Sequence, residues 1–189
     1  MAIEAAPTTL PGVLLLQPRV FPDDRGFFCE TFRANDLAAA GITEDFVQDN
    51  HSRSTRGVLR GLHFAIGEGS SKLVRCGRGR IWDVVVDLRA GSPTYGRWEG
   101  FELTDEGMQV LYVPVGFGHG FCVLSDVADV LYKQSAYYDP EVERGIAWND
   151  PQVAVAWPLP PEEIVVSERD TTAPALADVA AGLPFSYAG

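Results

Sequence analysis

The chain has 189 residues, 46% of them hydrophobic, which is enough to bury the core of one domain spanning 1–189. Its formal charge of −11, with a pI near 4.6 and no clustered basic run, argues against nucleic acid, and no stretch approaches eighteen apolar residues, so no membrane partner is expected. Three cysteines without a C-x-x-C pair exclude a disulfide framework or zinc ribbon; with no basic-then-apolar leader at the N-terminus, a reducing cytoplasm is the expected location.

In chain order, the run 13–16 reads as a short strand, and Asp23-Asp24-Arg25-Gly26 as a turn feeding a second strand over 27–32. Residues 33–40 predict a short helix, with Asn35 as candidate N-cap and Gly41 as its stop. From Phe46 onward β signals recur at close spacing: 58–64, 72–76, 81–88, 100–103, 110–113, 120–124, 130–137 and 153–157. Gly, Pro and Asp punctuate almost every interval, which is the pattern of an all-β sandwich or barrel and not of βαβ units. An Ala-rich segment, 174–181, predicts a closing helix ended by Gly182 and Pro184.

Within 58–64, Arg60 and His63 sit in an apolar, β-prone run, where a desolvated charge is costly unless partners or a wet cavity surround it. The segment reads as a pocket floor, or as a strand with two polar residues turned to solvent. Strict alternation sends Arg60 and His63 to opposite faces, and Gly61 between them marks the bulge that would bring both into one pocket. In 81–88, Trp82, Val84, Val86 and Leu88 share a face read as core, while Asp83, Val85 and Asp87 share the other; Asp83 is assigned to a cavity and Asp87 to cavity or solvent. His119 lies in 114–121 among three glycines, read as a turn that carries the imidazole to a cavity mouth. Tyr132 and Tyr138, six apart, fall on one face of an unbroken strand. Ser167-Glu168-Arg169-Asp170 offers a carboxylate at a loop or helix start.

Eight blocks of the sequence, Arg25-Gly26-Phe27-Phe28, 48–54, 59–64, Lys72-Leu73-Val74-Arg75, Asp87-Leu88-Arg89, 92–96, 114–121 and Trp148-Asn149-Asp150-Pro151, together resemble the dTDP-4-dehydrorhamnose 3,5-epimerase family of deoxysugar synthesis. They run in the family's order over almost the whole chain, which is far more specific than any one block. The resemblance implies a cupin-like jelly-roll domain, a homodimer and a dTDP-linked nucleotide-sugar substrate. It implies inversion of C3 and C5 of dTDP-4-keto-6-deoxy-D-glucose to dTDP-4-keto-L-rhamnose, for dTDP-L-rhamnose biosynthesis, with no cofactor and no metal.

A 4-keto group acidifies the hydrogens on both neighbouring carbons, so such an enzyme needs a base on one sugar face, an acid on the other and a stabiliser for the enolate oxygen. By resemblance His63 is the base, Asp170 the carboxylate that orients it, Tyr132 the proton donor and Lys72 the stabiliser. Arg60 and His119 match further substrate contacts, with Asp83 pairing with His119. Arg25, Glu30, Gln48, Asp49 and Asn50 match nucleotide-binding positions, Tyr138 the ring that stacks on thymine, and Glu143 and Arg169 later acidic and basic contacts. The segment 65–71 departs from the family's usual form and is one residue shorter, which bears on how Lys72 is placed. Two alternatives share parts of the pattern. One is an epimerase acting at C3 or C5 alone. The other, from a different class, is a metal-dependent or sugar-binding cupin, against which stands the wide separation of His51, His63 and His119.

Overall fold

The computed structural model describes residues 3–188. It consists of two antiparallel sheets packed face to face, with strands β1 Ile3–Pro7, β2 Leu14–Pro18, β3 Val20–Asp23, β4 Gly26–Cys29, β5 Gln48–Thr55, β6 Leu59–Ala65, β7 Lys72–Arg78, β8 Arg80–Asp87, β9 Trp98–Thr104, β10 Val110–Val113, β11 Phe117–Val123, β12 Val127–Gln134 and β13 Glu143–Gly145. One sheet has the order β1-β2-β10-β7-β12-β5 and the other β13-β6-β11-β8-β9, while β3 and β4 form a separate hairpin. The all-β jelly-roll expectation holds, and the helices are short: α1 Ala34–Ala39, α2 Glu168–Thr171 and α3 Leu176–Val179. Among the described residues no helix is long and apolar enough to cross a membrane.

Local expectations fared unevenly. Arg33 is the residue before α1 and gives no side-chain cap, so Asn35 lies inside the helix instead of capping it. Residues 153–157 form no strand; Val153, Val155 and Trp157 lie as coil against the outer face of the five-stranded sheet. The second predicted strand ends at Cys29, and a 3-10 turn, Ala180–Gly182, completes the closing helix.

Strand β8 shows how the layers are filled. Its Ile81 and Val85 belong to the core between the sheets, with Val74, Leu111, Phe117, Phe121 and Val130. Its Val84 and Val86, with Leu88 just past its end, face the other way, against Ile146, Val153, Leu176 and Phe185 from the C-terminal segment. Both faces are therefore core, and the face that carries Asp83 and Asp87 is the one turned to the sandwich interior; both carboxylates are fully buried. A third cluster beneath α1 joins Leu37 and Ile42 to Leu16, Leu73 and Val110.

A buried carboxylate is tolerated only when its lone pairs are filled. Asp87 accepts from Arg89 Nε at 2.9 Å and Nη2 at 2.7 Å, and from the Ser92 and Thr94 hydroxyls, each at 2.6 Å. The Arg89 guanidinium in turn lies 4.2 Å from the Phe117 ring centre and 4.9 Å from that of Tyr187, tying the end of the chain to β11. Burial works against ionisation of Asp87, but these donors hold its carboxyl below the ordinary range. A depressed folded-state pKa contributes stability that is fully present above the unfolded carboxylate value and lost as pH falls through the lower folded one. Asp87→Ala, which strands Arg89, is expected to cost about 3–5 kcal/mol at neutral pH in urea unfolding. A loss below about 1 kcal/mol would mean that Arg89 finds other partners.

Candidate active site

Directly opposed residues in an antiparallel sheet point to the same face. Lys72 stands opposite Gln134, and Gln134 opposite Gln48; the next rows run Val74, Tyr132, Asn50 and then Cys76, Val130, Ser52. Toward β5 the inner face of the six-stranded sheet is thus polar, and across from it the five-stranded sheet sets His63 opposite His119. Between Arg60 and His63 strand β6 advances three residues while β11 advances two, so the register shift falls where Gly61 predicts it. Gly61 has φ +137°, and a Cβ there would lie 2.5 Å from Gly120 Cα, so only glycines allow the two strands this approach. Through that bulge Arg60 and His63 both reach a single cavity of about 440 Å³.

The cavity is closed on one side by residues 165–170. Ser167 caps α2 by accepting from the Asp170 amide at 3.2 Å, which fixes Asp170 at the cavity edge. Its Oδ1 lies 2.6 Å from His63 Nε2. Burial raises the Asp170 pKa, but the contacts with His63, Ser167 and the Gly61 amide outweigh it and hold the group below the ordinary range. An ionised carboxylate only accepts, so His63 Nε2 carries the proton and Nδ1 keeps the lone pair. His119 Nε2 sits 2.9 and 3.0 Å from the two oxygens of buried Asp83, a second imidazole–carboxylate pair in the same site. His119 occupies mid-strand β11, not a turn, because Gly118 and Gly120 serve strand packing there.

Lys72 is only 8% exposed, and burial pulls its ammonium below the usual lysine range against the pull of Glu143 and Asp83. Tyr132 is pushed upward by burial and by Glu143, so the phenol holds its proton. Glu143 and Arg169 line the cavity 3.8 Å apart, and Arg60 Nε donates to Ser54 Oγ at 3.1 Å. Tyr138 also lines it, but by another route than continuous alternation: β12 ends at Gln134, and the Tyr138 amide returns to donate to Gln48 Oε1 at 2.8 Å. The loop before Lys72 is pinned at its end, where the Ser71 hydroxyl donates to Glu44 at 2.9 Å and the Ser71 amide donates to Ser135 Oγ at 2.8 Å.

Six of the expected residues do not line the cavity: Asp83 is buried against His119, Gln48 and Asn50 stand beside it on the inner face of β5, and three more stand apart. Arg25, at the tip of the β3–β4 hairpin, pairs with Asp23 at 2.5 Å. Glu30 pairs with Arg33 at 3.1 Å, and Asp49, on the outer face of β5, holds Lys133 at 2.7 Å. Two polar side chains on the strands around the cavity were not expected there. Ser52 Oγ is sealed without a hydrogen-bond partner, and Gln134 lies beside Lys72. Both sit two residues from a recognised position on the same strand, the only signal that could have found them.

An oriented imidazole base, a protonated phenol, a buried ammonium and a second imidazole pair around one cavity suit abstraction and return of a proton at carbon next to a carbonyl. Among the described residues no three His, Cys, Asp or Glu side chains converge to hold a metal. The sequence profile of the dTDP-4-dehydrorhamnose 3,5-epimerase family matches residues 7–178. The enzyme of that name from Pseudomonas aeruginosa is 49% identical over 177 residues, covering 93% of this chain and 97% of that protein. A dTDP-4-dehydrorhamnose 3-epimerase from Streptomyces niveus is 43% identical, covering 96% of this chain and 88% of that one. The crystal structure of dTDP-6-deoxy-D-glucose-3,5-epimerase from Legionella pneumophila, in complex with dTDP-4-keto-L-rhamnose, superposes with a TM-score of 0.95 at 42% identity, covering 99% of this chain and all of that one. A family profile spanning nearly the whole chain and relatives matched end to end leave one conclusion: this chain belongs to the dTDP-4-dehydrorhamnose 3,5-epimerase family.

Proposed function

We propose that this chain inverts C3 and C5 of dTDP-4-keto-6-deoxy-D-glucose to give dTDP-4-keto-L-rhamnose, through an enolate at each step and with no cofactor. The observation that carries the reading is the 2.6 Å His63–Asp170 pair facing Tyr132 and Lys72 within one cavity. His63 removes the proton on one face of the sugar, Asp170 stabilises the imidazolium that results, and Lys72 holds the charge developing on the keto oxygen. Tyr132 returns a proton from the other face. Arg60, His119 and Asp83 position the sugar, while Gln48, Asn50, Tyr138, Glu143 and Arg169 hold the nucleotide end.

Incubation of the keto sugar nucleotide in D2O, with deuterium located by NMR, tests this reading. Label at both C3 and C5 with inversion at each is expected. Label at one carbon alone would move the chain to the single-site epimerases, of which the Streptomyces niveus relative bears the name. No label at either would sink the proposal.

The working form is a cytoplasmic homodimer. Arg25 does not line the cavity of its own chain, and the hairpin that carries it exposes 62% of Phe27 and 65% of Phe28. An exposed apolar hairpin is a surface that association covers, and a second copy is the route by which Arg25 and Glu30 come to a nucleotide. Sedimentation at the 20.6 kDa monomer mass would count against this.

A further inference from the structure

Inside the cavity wall, three side-chain amides are joined end to end. The Tyr138 backbone N–H donates to Gln48 Oε1 at 2.8 Å, Gln48 Nε2 donates to Asn50 Oδ1 at 2.9 Å, and Asn50 Nδ2 donates to Gln134 Oε1 at 2.9 Å. Taken singly, an amide can present either end, and its oxygen and nitrogen are assigned from the surrounding network. Here the choice is made at the head of the chain. A backbone N–H can only donate, so Gln48 must offer its oxygen there and its nitrogen onward, and the same logic passes through Asn50. Gln134 is left with its carbonyl oxygen occupied and its Nε2 turned outward.

That last nitrogen has no acceptor among the described residues. Nor is it sealed: the buried side-chain atoms lacking partners are Ser52 Oγ and Trp82 Nε1. Gln134 itself is only 7% exposed and lines the cavity, so the surface its Nε2 retains opens onto the ligand space. In the row of the sheet it stands between Lys72 and Gln48. An amide N–H that opens onto the cavity without a protein partner can donate to a ligand oxygen that comes within reach.

We infer that Gln134 is a specificity-determining residue whose Nε2, held in one polarity by the Tyr138–Gln48–Asn50 relay, donates a hydrogen bond to an oxygen of the bound nucleotide sugar lying between its keto group and its nucleoside. This rests on the nucleotide-sugar reading above and adds to it a donor of fixed direction. Two groups of oxygens meet the description, the hydroxyl and ring oxygens of the sugar and the oxygens of the diphosphate. A ligand that places a donor at that point meets donor against donor and is rejected.

The test uses Gln134→Met, which keeps length and loses both amide ends. Deuterium exchange by the wild-type protein comes first, since its absence is a failure of the functional reading and not of this one. With exchange established, Gln134→Met is expected to weaken binding by about 5–30-fold, the effect of one lost hydrogen bond, while kcat changes by less than about threefold. A loss seen with dTDP alone as well as with dTDP-4-keto-6-deoxyglucose puts the acceptor on the diphosphate; a loss confined to the nucleotide sugar puts it on the sugar. In the wild-type protein, the Gln134 side-chain amide protons, assigned through bonds to their own backbone, should also shift and exchange more slowly when the nucleotide sugar is bound. This readout does not depend on whether the variant folds. Unchanged affinity for both ligands in a folded variant, or Gln134 amide protons indifferent to ligand, would overturn the inference.

Discussion

Replacing His63 by alanine is expected to abolish deuterium uptake at both C3 and C5, a loss on the order of 10²–10⁴-fold or greater, the range typical of a positioned general base. The imidazole is the cavity group whose proton location the structure fixes: Asp170 accepts from Nε2 at 2.6 Å, leaving the Nδ1 lone pair as base. Removing it deletes proton transfer and little contact area, so affinity for dTDP should stay within about threefold of wild type. His119 is the competing candidate, since it too is paired with a carboxylate, at 2.9 Å from Asp83. A His63→Ala protein that still exchanges at full rate would transfer the role to His119. One that loses exchange at a single carbon would mean that the two carbons are served by different bases.

Tyr132→Phe separates removal of the proton from its return. The ring and its packing against the inter-sheet core persist, and only the hydroxyl goes. Because burial and Glu143 hold the phenol protonated, it has a proton to give. In its absence His63 can still form the enolate and hand a solvent-derived proton back to the face it came from. Expected, therefore, is deuterium uptake within about tenfold of wild type, with inverted product reduced by about 10²-fold or more. Exchange and stereochemistry are read on the same sample. Equal loss of both in a well-folded variant would reduce Tyr132 to a packing residue.

Two of the strands that line the cavity, β5 and β11, are concealed in the sequence, the first wholly and the second in part. Strand β5, Gln48–Thr55, carries no apolar residue on its inner face, where Gln48, Asn50, Ser52 and Ser54 line up. Hydrophobic alternation identifies strands that bury one face in a core; this one turns that face to a ligand space and leaves no such trace. Strand β11 fails for a related reason, since its glycines read as punctuation when their use is to let β6 pass close at the bulge. Among the apolar strands β10 is legible to the residue and β8 to within one, whereas β12 begins and ends three residues before its expected bounds. Segment 153–157 misled in the opposite direction: its apolar residues pack on the back of a sheet as coil, and burial alone does not make a strand. For the site, motif resemblance located His63, Asp170, Tyr132 and Lys72 in one cavity. It could not tell that Arg25 and Glu30 lie away from that cavity, because a sequence block carries no information about where the fold places it.

The Asp170–His63 contact joins residues 107 positions apart, one on a barrel strand and the other on the segment that wraps the outer face of the five-stranded sheet. Half of the dyad is thus built into the sandwich, and half arrives with a strap fastened by Leu176, Phe185 and the Arg89–Tyr187 stack. Local opening of such a strap costs less than unfolding the whole domain. Opening of the strap would part Asp170 from His63 and is expected to cost turnover while the sheets remain intact. Hydrogen exchange at the amides of 167–171 measures that opening directly, and protection equal to that of the β8 amides would mean that strap and sandwich open only together.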